Sequence, residues 1–468
     1  MKRTDTMIRV LPGEQHTPYG LAKKLSAAAV LESASFDKGR ERYSLLVVRP
    51  AFTVGQVGDT VVLDVDGKRY KVGGKARDVL DVLLYFANQH SLPHQDFPFP
   101  AGGIGFLSYE FAARCDTIRI RQKADPLELP EAAFLFAHVL LIFDHFTDLI
   151  YLIGLNYKEH EIDLGEAVAE VESTITDLNF NYLQSDDTAY EATVVGEDGE
   201  DRRFLSGVSA IREEIVAGNL LQAVLSRRIR IETEMPALEA YRRLRTANPS
   251  PYLFYLDFGD YQLFGSSPEV HVKVKNEQAI IRPIAGTRKR GADRGEDLRL
   301  ERELLADPKE QAEHLMLIDL ARNDIGRVCR PGSVHMTDYM TIERYSHVMH
   351  IVSEARGTLD AGRTGLDALR ATFPAGTVSG APKIRAIEVL DRLETVPRRF
   401  YAGLVGYVEP EGSLDTCITI RSALKKNGEL ILQAGAGIVY DSSPERELEE
   451  TGEKLAALAV AAGLEVRL

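Results

Sequence analysis

At 468 residues, the chain has room for two or three domains or for one large composite body. Hydrophobic residues are 44% and charged ones 27%, an ordinary globular balance, and the net charge of −14 disfavours nucleic acid or an anionic membrane as the main partner. Three dispersed cysteines, Cys115, Cys329 and Cys417, offer neither a disulfide framework nor a zinc knuckle and fit a reducing, cytoplasmic setting.

The first residues lack the apolar stretch of a secretory signal. Residues 8–75 read as mostly β, with one helix at 20–31, a charged loop at 37–42, and strands at 43–49 and 61–65 bounded by Gly and Asp turns. An amphipathic helix is expected at 77–90, followed by a Pro-rich, then Gly-rich loop at 97–105. The apolar run 134–143 is too short to cross a bilayer and contains His138. It reads as a buried strand that turns at 144–148 into a partner at 149–155. An acidic helix is expected at 158–180. The polar, acidic stretch 186–201 is the preferred domain boundary, separating 1–185 from 190–468.

Beyond Phe204 the pattern predicts a helix at 205–217, a basic strand at 227–231, a helix at 237–245 and a strand at 253–257. Polar residues then gather at strand ends, at 265–269 and 282–287, where sites tend to sit. Residues 307–324 read as a helix that Asp307 can cap, with Pro308 in its first turn. Glu310 and Glu313, three apart, share a face of it. A helix at 363–373 precedes a Gly- and Pro-rich segment at 374–383, and strands are expected at 402–408, 415–423 and 429–434. A last helix starts after Ser443, with Glu447, Glu450 and Lys454 on one face. Two such faces are either solvated or, where they meet, an oxygen-rich clamp for a hard cation such as Mg²⁺. Strands and helices mix without strict βαβ alternation, so an α+β, layered α/β body is expected rather than a Rossmann sheet.

A series of motifs runs through the second half: LLQAVLS (220–226), NPSPYLFYL (248–256), GSSPE (265–269), RPIAGT (282–287), EHLMLIDLARND (313–324), RYSHVMH (344–350), FPAGTVSGAPK (373–383), LDTCITIRSAL (414–424) and QAGAGIVYDSSPERE (433–447). In this order they resemble the chorismate-utilising enzymes, and among them anthranilate synthase component I, over nearly the whole chain. The resemblance implies large β-sheets in a sandwich flanked by helices. It also implies an N-terminal regulatory region at 1–185 and a chorismate-binding catalytic domain at 190–468. The implied reaction turns chorismate and ammonia into anthranilate and pyruvate, the first step of tryptophan biosynthesis. The alternative is an aminodeoxychorismate or aminodeoxyisochorismate synthase component I.

Roles follow from the same resemblance. Glu313 and Glu450 match the family's Mg²⁺ carboxylates, with Glu310 and Glu447 beside them. Arg421 matches a partner of a chorismate carboxylate, for which a guanidinium fork is suited. Tyr401, Gly435, Ala436, Gly437, Lys454, Thr287 and Gly376 match further substrate contacts. Glu269 matches the general acid needed because hydroxide leaves badly. His350 matches a histidine near the C4 hydroxyl, with His347 three residues earlier as its possible double, and Thr377 and Ala375 match the wall beside it. Gln222 stands where water-adding members carry a lysine base. Ala285 stands where aminodeoxychorismate synthases often carry a lysine nucleophile.

None of the cysteines lies in a Gly-x-Cys-x-Gly elbow, so ammonia is expected from a separate glutamine amidotransferase subunit, anthranilate synthase component II, in a hetero-oligomer. Leu31, Glu32, Ser33 and Tyr43, together with Pro251, Tyr252, Leu253, Val405 and Tyr407, resemble the site at which tryptophan inhibits such enzymes. Tyr43 and Leu253 replace the Lys and Met of some relatives, and Leu220, Leu221 and Ala223 depart from the commoner Ile-Phe-Gln-Val.

Overall fold

The computed structural model describes residues 5–35, 39–40, 42–74, 76–92, 97–177, 188–196, 199–345 and 348–464. Alternation along the strands explains how the body is built. In the Ala132–Asp144 strand, Phe134, Phe136, Leu140 and Ile142 enter one core cluster, while Val139, Leu141 and Phe143 enter another. The Tyr252–Asp257 strand divides the same way: Phe254 and Leu256 go to the first cluster, Leu253 and Tyr255 to the second. Successive side chains point to opposite faces, so both faces of these strands are buried. The helices Pro18–Lys24, Leu164–Thr176, Ala237–Ala247 and Pro444–Ala461 close the second cluster with Leu21, Val168, Tyr241 and Leu455.

Among the described residues, twenty-two strands join in one hydrogen-bonded sheet, in a mixed helix-and-sheet architecture of the α+β kind. Strands from either side of the 186–201 stretch share it. Ala29–Glu32 pairs with Tyr252–Asp257, and Ile104–Leu107 pairs with Leu404–Val408, both antiparallel. Parts of that stretch (186–187 and 197–198), part of the 37–42 loop, the end of the 158–180 segment and His347 lie outside the described residues. Among the described residues, no helix is long and apolar enough to cross a membrane.

The hairpin expected at 134–155 forms, with Leu149 opposite Asp144. Three expectations are corrected. The helix placed at 20–31 ends at Lys24, and Ala29–Glu32 is a strand between Leu45–Val47 and Leu253–Leu256. The chain breaks at Ser26, which takes a left-handed φ of 51°, and distant partners then impose the extended form on 29–32. The single strand at 415–423 is two, Leu414–Ile418 and Ser422–Lys426, parted where Arg421 adopts a φ of 52°. The strand at 429–434 continues to Ile438, because Gly435 and Gly437 stay in the ladder opposite Ser226 and Val224.

Candidate active site and a second cavity

The candidate site lies where two long strands and two helices converge. Gln222 opens the Gln222–Thr233 strand, and Gly435, Ala436 and Gly437 lie on its neighbour, Glu429–Ile438. Both glycines keep the space between these strands open. A Cβ on Gly437 would fall 2.5 Å from Gln222 Nε2, and one on Gly435 would fall 2.7 Å from the Tyr401 hydroxyl. Ala436 is fully buried on the opposite side, in the cluster with Ala223 and Leu225, so only its backbone faces this space.

The Pro308–Gly326 helix is started by Asp307, whose carboxylate accepts from the amides of Lys309 and Glu310. The helix carries Glu313 toward the strands, where Gln222 Nε2 donates to Glu313 Oε1 at 3.4 Å. Burial raises the Glu313 pKa, and the charges of Glu310 and Glu450 raise it further. From the Pro444–Ala461 helix, burial likewise raises Glu447, with Glu450 adding to it. The charges of Lys309 and Glu450 act on both Glu313 and Glu447, so the two acidic helix faces lie within electrostatic range of each other. Ser443 begins the second helix, although its hydroxyl caps no backbone amide and donates instead to Glu445.

The four carboxylates are not equivalent. Arg288 Nη1 donates to Glu310 at 3.1 Å, and Lys454 Nζ pairs with Glu450 at 2.7 Å. Among the described residues, no group of three or more His, Cys, Asp or Glu side chains is gathered tightly enough to hold an ion by itself. Mg²⁺ needs only one or two carboxylates, with waters and substrate oxygens completing its shell. Glu313, crowded by like charge and eased by a long hydrogen bond from Gln222 and by the charge of Lys309, has the donor chemistry that suits it.

Glu269 and His350 are the groups suited to acid–base work. Glu269 is 8% exposed, and its backbone carbonyl accepts from the Ile418 amide at 3.0 Å. Burial pushes its carboxyl up to about 8, against smaller opposing effects of the Thr377 hydroxyl and Lys454. His350 lies on the Val348–Thr358 strand opposite Thr287. Its Nδ1 is 3.2 Å from the Gly286 carbonyl oxygen and 3.1 Å from the Thr287 hydroxyl. A carbonyl only accepts, which assigns the proton to Nδ1 and leaves Nε2 an acceptor. Burial pulls the imidazole down to about 4, and Arg421 acts in the same direction.

Arg421 donates from Nη1 to the Lys454 carbonyl at 3.0 Å, and Lys454 Nζ donates to the Gly435 carbonyl at 2.8 Å. Burial lowers the Arg421 pKa while Tyr401 and Glu450 oppose that effect. Tyr401 is buried, which raises its hydroxyl to about 12, while Arg398 and the Gly435 backbone act against that rise. Gly376 and Thr377 form a single 3-10 turn after Ala375, and Ala285 lies on the Ile284–Lys289 strand.

Two residues emerge here that sequence reading passed over. Tyr345, inside the RYSHVMH motif, sets its ring edge-on to the His350 imidazole, with centroids 5.4 Å apart at 69°. Arg398, 2% exposed, donates to the Val224 carbonyl at 2.6 Å and the Val378 carbonyl at 2.8 Å, and pairs with Glu394 at 2.7 Å. Its Pro-Arg-Arg setting looks like a charged turn; only burial distinguishes it.

A second space, a cavity of about 560 Å³, opens beside the site. All nine residues singled out at 31–33, 43, 251–253, 405 and 407 line it. The Glu32 carboxylate is already engaged, accepting from the Tyr241 hydroxyl at 2.7 Å and pairing with Arg245 at 2.8 Å. Asp415, also in the wall, accepts from the Tyr252 hydroxyl at 2.8 Å and pairs with Lys273 at 2.6 Å.

Known proteins resemble the chain along most of its length. The chorismate binding enzyme family matches residues 52–460. Anthranilate synthase component 1 of Spirochaeta aurantia is 63% identical over 99% of this chain and 96% of its own length. The crystal structure of anthranilate synthase component I from Streptococcus pneumoniae TIGR4 superposes with a TM-score of 0.80 at 36% identity, covering 89% of this chain and 92% of that one. The menaquinone-specific isochorismate synthase of Escherichia coli shares the fold alone, with a TM-score of 0.72 at 18% identity over 98% of this chain and 95% of that one. The chain therefore belongs to the chorismate binding enzymes and, within them, to the anthranilate synthase component I family.

Proposed function

We propose that the chain adds ammonia to C2 of chorismate, expels the C4 hydroxyl as water, and eliminates pyruvate to leave anthranilate. The observation that carries this reading is Glu269, a buried carboxyl pushed up to about 8 and therefore protonated at neutral pH. A hydroxyl leaves only if it is protonated, and Glu269 is the group with a proton to give. Neutral His350 keeps an Nε2 lone pair to accept from the substrate. Arg421, the Tyr401 hydroxyl and the Gly435 and Gly437 amides hold carboxylate oxygens, with Lys454, Thr287 and Gly376 around them. Glu313 and Glu450, with Glu310 and Glu447 alongside, would hold Mg²⁺, which when bound would supply positive charge to offset the ring carboxylate. Gln222 cannot deprotonate water, and Ala285 offers no nucleophile, so ammonia attacks C2 directly.

Ammonia is supplied by a glutamine amidotransferase subunit in a hetero-oligomer, in the cytoplasm. The N-terminal region at 1–185 is regulatory, the region at 190–468 catalytic. Tryptophan occupies the second cavity and inhibits; the convergence of all nine singled-out residues on one cavity supports that part.

The test is fluorescence of the purified chain with chorismate, Mg²⁺ and ammonium, followed by product identification. Anthranilate and pyruvate formed only with Mg²⁺ and ammonium is the expected result. An amino-chorismate product without pyruvate overturns it.

A further inference from the structure

The cavity and the catalytic groups share one wall. Pro268 lines the cavity and Glu269 follows it in the chain. Ile284 lines the cavity, and Gly286, two residues on, presents its carbonyl to His350. Tyr345 does both with one side chain: it lines the cavity, and its ring meets the His350 imidazole edge-on at 5.4 Å. That ring is held from several sides. The Tyr345 hydroxyl donates to Glu343 at 3.2 Å, and Glu343 also accepts from Arg282 of the cavity wall at 2.5 Å. The Tyr345 backbone is fixed too, its amide donating to the Val348 carbonyl at 2.8 Å and its carbonyl accepting from Arg290 at 2.8 Å. With the backbone and hydroxyl tied, the ring can shift only against the Glu343 hydrogen bond and its contact with His350.

We propose that Tyr345 is a positioning residue for His350, and that a ligand filling the cavity inhibits by displacing the Tyr345 ring. An edge-to-face contact has a preferred geometry, so a ring pushed from one side cannot move without disturbing the imidazole that rests on it. The regulatory half of this rests on the cavity being the tryptophan site; the positioning half does not. Coupling between two sites is a free energy and acts both ways. To the extent that tryptophan weakens chorismate binding, chorismate weakens tryptophan binding by the same factor.

Two variants test this. Tyr345→Leu fills the space without a ring, and Tyr345→Phe keeps the ring without the hydroxyl. Turnover is measured with chorismate, Mg²⁺ and ammonium. Tryptophan binding is read from the ligand's own fluorescence, since the chain contains no tryptophan. For Tyr345→Leu, kcat falls roughly tenfold with KM little changed, as displacement of one catalytic group predicts. Tyr345→Phe restores it. Tyr345→Leu still binds tryptophan with wild-type affinity, yet its half-inhibitory concentration rises about tenfold or more, and chorismate no longer weakens the binding. Wild-type kcat and inhibition in Tyr345→Leu overturn the proposal. Loss of inhibition in Tyr345→Phe as well also overturns it, assigning the coupling to the Glu343 hydrogen bond instead. A wild-type chain that binds no tryptophan overturns the effector reading alone; the kcat of the two variants still decides whether Tyr345 positions His350.

Discussion

Gln222 and Glu313, 91 residues apart in the chain, meet where Gln222 Nε2 donates to Glu313 Oε1 at 3.4 Å. The bond joins the start of a strand to the face of a helix. It also lowers the pKa of a carboxylate that burial, Glu310 and Glu450 all raise. A glutamine at this position thus has work beyond failing to be a base: it steadies the charged form of the proposed Mg²⁺ ligand.

Gln222→Leu removes that donor while roughly keeping volume. The Mg²⁺ concentration for half-maximal activity is expected to rise about tenfold, the lower end of what loss of a partner behind a metal ligand costs. Turnover at saturating Mg²⁺ falls much less. A Mg²⁺ titration of both proteins measures the shift, and an unchanged half-saturation point counts against the role.

Glu269 gives a pH prediction with a definite sign. Its carboxyl is raised from the ordinary 4.5 to about 8, so the acid form is lost as pH climbs through 8. With the rate referred to free ammonia rather than total ammonium, kcat is expected to decline above about pH 8. Glu269→Gln lowers kcat by roughly 10²- to 10⁴-fold and removes that decline. The same shift acts on stability. The folded state binds the proton more tightly than the unfolded one between 4.5 and 8, so wild type loses stability across that interval. Glu269→Gln should match wild type near pH 4 and exceed it at pH 9 in chemical denaturation.

How much of this was legible in the sequence depended on how local the cause was. Asp307 starts its helix through contacts two and three residues away, and the capping pattern announces it. The strand at 29–32 has no such signal. Its partners are Leu45–Val47 and, more than two hundred residues on, Leu253–Leu256, and these override a segment that reads as helical. Glu269, His350 and Arg421 were visible because a motif carries each. Tyr345 lies within such a motif and was still missed, since its importance comes from facing two spaces at once. The arginine in Arg288 was equally silent, and it decides that Glu310 has a cationic partner while Glu313 does not share it.

The buried histidines predict acid sensitivity. Burial pulls His350 to about 4, His314 to about 4 and His271 to about 3, from an ordinary 6.5. The unfolded chain takes up these protons first, so stability present above pH 6.5 is lost as pH falls toward 4. For His350 the loss by pH 5 is on the order of 2 kcal/mol. His350→Asn should therefore shrink the difference in unfolding free energy between pH 7 and pH 5. An undiminished difference would show that His350 titrates normally.

Ser33 lies in the cavity wall beside Glu32, whose carboxylate is turned away to Tyr241 and Arg245. Ser33→Leu adds bulk to the cavity without touching that pair or the catalytic groups. Inhibition by tryptophan is expected to disappear while kcat and the chorismate KM stay as in wild type. Inhibition that persists at wild-type tryptophan concentrations rejects this cavity as the effector site.

Arg398 offers the sharpest test of how the site is held. Its guanidinium ties the Gln222 strand at Val224, the Thr377 turn at Val378, and Glu394, and it lies 5.7 Å from the Tyr401 ring centroid. Glu394 in turn accepts from the amide and hydroxyl of Ser226, opposite Gly435. Arg398→Met leaves the partly buried Glu394 carboxylate without its cation, strands two backbone carbonyls, and is expected to cost about 3 kcal/mol. Adding Glu394→Gln removes that stranded charge, so the double variant should be less destabilised than the two single changes summed, by about 1–3 kcal/mol. Both carbonyls at Val224 and Val378 still lose their donor, so chorismate KM stays raised in the double variant even where stability recovers. Denaturation and steady-state kinetics on all four proteins separate the two effects. Strict additivity would mean that Arg398 acts through the backbone carbonyls alone.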